Sequence, residues 1–152
     1  MGHEILAPKG YDPPLLPSTP YDAEYENLGL QPGMKLEAID PLNLSAICAA
    51  TIKKVLRRGY IMIRVDCYED DDSGDDWFCY HISSPYVLPC GFCAENSVIL
   101  TPPFGYDKLT FRWDDYLRNT KSVVAPVPAK VRTHLILPCL LNTSLGSFFY
   151  TL

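Results

Sequence analysis

The chain has no run of about 18 apolar residues, and its N-terminus lacks a basic segment followed by an apolar stretch, so neither membrane insertion nor secretion is indicated. Positive charge is scarce: 13 Lys and Arg stand against 18 Asp and Glu, for a net charge of −5. That balance disfavours tracking a phosphate backbone, which needs clustered cations, and excludes a direct sequence-specific nucleic-acid reader; a basic partner fits better. The one basic cluster, Lys53-Lys54 with Arg57-Arg58, flanks a hairpin and reads as a solvated turn. Six cysteines occur without an evenly spaced framework, which points to free thiols in a reducing compartment. Long helical periodicity is missing too. Ten Tyr, six Phe and two Trp, with fourteen Pro and nine Gly, favour short strands and turns, so the 152 residues are expected to fold as one all-β core.

Residues 1–32 are interrupted by proline and read as a linker that also carries the end of a preceding unit. The phrase Ile5-Leu6-Ala7-Pro8 with Gly10-Tyr11-Asp12 returns as Ile99-Leu100-Thr101-Pro102 with Gly105-Tyr106-Asp107, which suggests the boundaries of one unit of a tandem array. Between them, Met34 to Ile39 alternates before Asp40-Pro41 breaks it, and Ile47 to Leu56 reads as a second strand. Gly59 turns the chain into a third strand, Tyr60 to Val65, with Ile61, Ile63 and Val65 on one face. Short strands are expected around Trp77 to Tyr80 and Val98 to Leu100. Pro89 to Cys93 reads as a turn or a single helical turn. Five short strands in about 70 residues are best satisfied by a small barrel, because closure removes exposed edges. Beyond it, Phe111 to Leu117 forms a short amphipathic helix whose aromatics need a covering surface, and residues 131–152 form an apolar tail.

Local chemistry is sparse. Cys90-Gly91-Phe92-Cys93 has the CxxC form of redox centres and zinc knuckles, but no βαβ context and no second ligand pair accompany it. The acidic stretch Glu69 to Asp76 fails as an EF-hand, since aligning Gly74 with the sixth position puts Tyr80 where a bidentate Glu is required. It reads as a solvated acidic turn. No nucleophile has a base and orienting group nearby, and His3, His81 and His134 show no pattern. An enzyme is not expected, nor a metal or cofactor.

The order of punctuated segments is more specific. Gly33-Met34-Lys35-Leu36-Glu37-Ala38-Ile39-Asp40-Pro41, Val65-Asp66, Asp76-Trp77, Ser84-Pro85, Gly91-Phe92-Cys93, Leu100-Thr101-Pro102-Pro103 and Phe111-x-Trp113-x-x-Tyr116-Leu117 resemble the malignant brain tumour (MBT) repeat family, above all non-terminal repeats of its four-repeat members. The resemblance implies a Tudor-like barrel of the Royal group over residues 33–107, with residues 108–130 the helical arm of a following repeat. It implies a nuclear, chromatin-associated regulator of repressive, Polycomb-like type, whose partners are histone tails or other basic proteins, neighbouring MBT repeats and chromatin complexes.

Binding-competent repeats of the family hold mono- or dimethyl-lysine between three aromatic rings and a carboxylate, through cation attraction to ring faces and a hydrogen bond to the remaining ammonium N–H. Carried over, the acid falls on Asp40 and the three ring positions on Val65, Tyr68 and Gly74. One ring of three survives. A lone exposed ring contributes about 0.5–1 kcal/mol, too little for micromolar capture, so the pocket is expected to be degenerate. Trp77 is expected to anchor the barrel core.

Overall fold

The computed structural model describes residues 24–70 and 73–128; the first copy of the boundary phrase and the apolar tail lie outside them. Six strands are present among the described residues: β1 (Lys35–Asp40), β2 (Asn43–Val55), β3 (Tyr60–Val65), β4 (Phe78–His81), β5 (Val87–Leu88) and β6 (Leu100–Thr101). They form one sheet in the order β4-β3-β2-β1-β5, with β6 added in parallel to β2. The sheet curls into a half-barrel, the expected small barrel with one more strand than the sequence reading held. The addition, β5, pairs Leu88 with Glu37 and Val87 with Ala38. Two residues are too few to carry an alternation signal.

The barrel interior follows from period two. Leu36 and Ala38 on β1, Cys48, Ala50 and Ile52 on β2, and Ile61, Ile63 and Val65 on β3 point the same way and, with Ile82 and Val87, fill one core. Each fully buried Ile or Leu contributes about 1.5–3 kcal/mol. A second cluster gathers Ile39, Ile47 and Leu88 with Phe92 and Cys93 of helix α1 (Phe92–Glu95).

The turn from β2 to β3 depends on Gly59, whose φ is +77° and whose position would bring a Cβ within 2.7 Å of Tyr25 Cβ and 2.8 Å of His81 Nε2. Only glycine meets both conditions.

All six residues of β1 are buried, including Lys35 and Glu37 on the face that the sequence alternation assigns to solvent. Helix α2 (Trp113–Thr120) covers that face, with Tyr116 bonded to Lys35 and Trp113 to Glu37. Asp114 and Asp115 in its first turn and Arg118 in its last complement the helix dipole. The following segment runs beside β1: Lys35 N–H donates to the Val123 carbonyl at 2.9 Å, and Ala125 N–H donates to the Lys35 carbonyl at 2.7 Å. The aromatic arm therefore packs back on this barrel.

Trp77 is only half-buried and stands outside both core clusters, correcting its expected role as a core anchor. Its ring lies under the Lys53 ammonium, 5.9 Å from centroid to Nζ, and against the Gly74 backbone.

Candidate functional site

Asp40 ends β1 at the rim of the half-barrel and is 1% exposed. Its Oδ1 accepts the Leu42 N–H at 2.8 Å, fixing the Asp40-Pro41 turn, and its Oδ2 accepts the Tyr68 hydroxyl at 2.7 Å. Tyr68, three residues past β3, is 43% exposed. The hydrogen bond to Asp40 is the main reason its phenol is pushed up to about 12, with desolvation adding to it. Of the four carried-over positions the structure brings these two into contact. Val65 is 1% exposed and faces the barrel core opposite Ala50, while Gly74 sits in a turn with φ +78°. Neither offers a ring.

Two further rings lie in this region without a sequence motif to announce them. Tyr80 on β4 pairs with Tyr86 at 6.3 Å between centroids, and its phenol is raised by burial and then by the Asp40 charge.

The acidic loop is partly neutralised from within. Arg64, 3% exposed, donates from Nε to Asp76 and from Nη2 to the carbonyls of Tyr68 and Glu69 at 3.1 and 2.6 Å. Lys53 reaches Asp70 at 3.5 Å. Arg64 thus sets the path of the chain just after Tyr68.

Two buried polar hubs hold the arm. The Lys35 ammonium donates to Thr51 Oγ1, to Asp66 Oδ2 at 3.1 Å and to Tyr116 Oη at 3.1 Å, using all three of its protons. The Tyr116 hydroxyl donates in turn to Asp66 Oδ2 at 2.8 Å. Burial first, then Asp66, raises the Tyr116 phenol well above its usual range, so it remains a donor. Glu37, fully buried, accepts the N–H groups of Gly91 at 2.7 Å and Cys93 at 2.9 Å, together with Trp113 Nε1–H at 2.9 Å. This carboxylate caps α1 from another strand and tethers α2.

Burial, then the Glu37 charge, raises the thiols of Cys90 and Cys93 above the usual range. They stay protonated, the opposite of an activated redox pair. A different sulfur pair, Cys48 and Cys67, meets Asp40: one ligand atom from each of the three lies within 4.8 Å of the others. Motif spacing concealed this group; the signal that finds it is the inward alternation of β1, β2 and β3.

A curled half-barrel with an acid and a tyrosine at its rim and an aromatic arm folded over β1 defines a Tudor-like module of the Royal group. Residues 34–107 match the family model described as mbt repeat. That stretch of the chain is an MBT repeat. The chain is 60% identical over 97 residues to Polycomb protein Sfmbt of Drosophila pseudoobscura pseudoobscura, covering 64% of this chain and 8% of that protein. It is 63% identical over 95 residues to human MBT domain-containing protein 1, covering 62% of this chain and 15% of that protein. The solved four MBT repeats of Drosophila melanogaster Sfmbt, in complex with the peptide RHR(me)KVLR, superpose with a TM-score of 0.65 at 47% identity, covering 80% of this chain and 28% of that one. The chain thus spans under a fifth of either of these two relatives.

Proposed function

We propose that this repeat is a mainly structural member of a multi-repeat chromatin regulator of the repressive, Polycomb-like type, working in the nucleus beside other MBT repeats, histone tails and chromatin complexes. Its own methyl-lysine pocket is degenerate in this reading. The observation that carries it is the state of Asp40: the carboxylate is 1% exposed, with one oxygen engaged by Tyr68 and the other by the Leu42 N–H. A methylammonium would have to displace the phenol, with Val65 and Gly74 supplying no rings in return. Exposed Ile99, Phe104 and Leu109 supply apolar surface of the kind a neighbouring repeat covers. The protonated state of the Cys90 and Cys93 thiols supports a binding module over a redox enzyme.

The second reading, direct capture of mono- or dimethyl-lysine through Asp40 and Tyr68, draws on the exposed Tyr68 ring and the Tyr80–Tyr86 pair. Calorimetric titration of mono- and dimethyl-lysine histone peptides onto the chain separates the two. We expect dissociation constants weaker than ~1 mM. Low-micromolar binding abolished by Asp40→Asn would establish the reader instead.

A further inference from the structure

Three strands end their inward rows at the same rim. On β1 the row is Leu36, Ala38, Asp40; on β2 it begins at Cys48 and continues through Ala50 and Ile52. On β3 it is Ile61, Ile63, Val65, and Cys67 stands two residues further on. Ala38 pairs with Cys48. Asp66 N–H donates to the Ala49 carbonyl at 2.8 Å, which carries the Ala50–Val65 register past the end of β3 and sets Cys67 across from Cys48. The approach of Cys67 to Cys48 is therefore built by strand register, and Asp40, just past the register shift that follows Ile39, lies with them so that the three ligand atoms fall within 4.8 Å of one another.

The geometry points to a metal site: Asp40, Cys48 and Cys67 supply one carboxylate and two thiolate ligands to a thiophilic divalent cation of the zinc class. With Zn–S near 2.3 Å and Zn–O near 2.0 Å, tetrahedral ligands stand roughly 3.5–3.8 Å apart, inside the observed limit. Cys48 is fully buried and Asp40 nearly so, while Cys67 is partly exposed and gives the cation its way in, leaving a fourth position for water. Binding releases both thiol protons to solvent. Tyr68 O–H and Leu42 N–H orient the carboxylate, as partners behind metal ligands do. Two thiols and an acid match a soft cation better than a methylated ammonium. The site rests on the reading of a silent pocket, because the Asp40 carboxylate cannot hold a divalent cation and a methylammonium together.

The test is titration of the full, reduced chain with Co2+ and then Zn2+. One equivalent of Co2+ should raise a thiolate-to-metal charge-transfer band and intense tetrahedral d–d bands, and Zn2+ should erase them. Cys67→Ser, at a partly exposed position, and Asp40→Asn should each weaken affinity at least tenfold. Cys79→Ser with Cys90→Ser should change it less than twofold. X-ray absorption at the zinc edge of the unaltered chain should show two sulfur neighbours and so needs no variant to fold. Absence of the band, its survival in Cys67→Ser, its loss with Cys79 and Cys90, or a Cys48–Cys67 disulfide formed by a chain that binds no metal would each overturn the site.

Discussion

Tyr68 is the residue on which both the pocket and its silence turn. Its hydroxyl points at Asp40 and its pKa rises from 10 to about 12, so the folded state favours the protonated phenol. The contribution of that hydrogen bond is fully present below pH 10 and is lost as pH climbs through about 12. Site-resolved NMR of labelled tyrosines should show Tyr68 ionising near 12 in the native chain and falling back toward 10 in Asp40→Asn. Equal midpoints in the two proteins would mean that the contact does not form in solution. Both partners were legible in the sequence, because the segment order places them at motif positions. That the surviving ring would spend its hydroxyl on the surviving acid was not legible, since it depends on where Arg64 directs the chain after β3.

Helix α2 is the element that changes the meaning of β1. With Tyr116 at 6% exposure, its hydroxyl serves both Lys35 and Asp66, and its ring lies 4.7 Å from the Lys35 ammonium. Tyr116→Phe should destabilise the chain by roughly 1–2 kcal/mol, because two buried charged groups each lose a partner. Tyr116→Ala should cost about 3–5 kcal/mol through the added cavity. Urea unfolding measures both; an unchanged midpoint for either variant would mean that the arm is not docked. The bounds of β3 were readable to the residue from Ile61, Ile63 and Val65, because one face of that strand is core and the pattern is clean. β1 was found, but its Lys35 and Glu37 look like solvent residues until α2 is laid over them. Phe111, Trp113 and Tyr116 announce that a surface must cover them; which surface is a matter of tertiary structure, and a local pattern carries no record of it.

At the scale of the whole molecule, the arm docked in cis means that a single copy satisfies its own aromatic cluster. Tyr106, Phe111, Trp113 and Tyr116 pack in edge-to-face and tilted pairs with centroids 5.2–5.9 Å apart. Sedimentation of the full chain should give a monomer mass. A chain ending at Pro103 should be less stable and prone to association, since Glu37, Lys35 and Asp66 lose their cover. Identical mass and stability for the two would argue against any docking role for the arm.

Glu37 adds a consequence in time. Its three donors come from Gly91, Cys93 and Trp113, far along the chain, so none of its hydrogen bonds can form by local structure alone. A partly assembled chain that buried β1 before α1 and α2 arrived would trap an uncompensated anion, at a cost of several kcal/mol. Intermediates of that kind are suppressed, and the barrel, the cap and the arm are driven to form together in one cooperative step whose rate is limited by long-range closure.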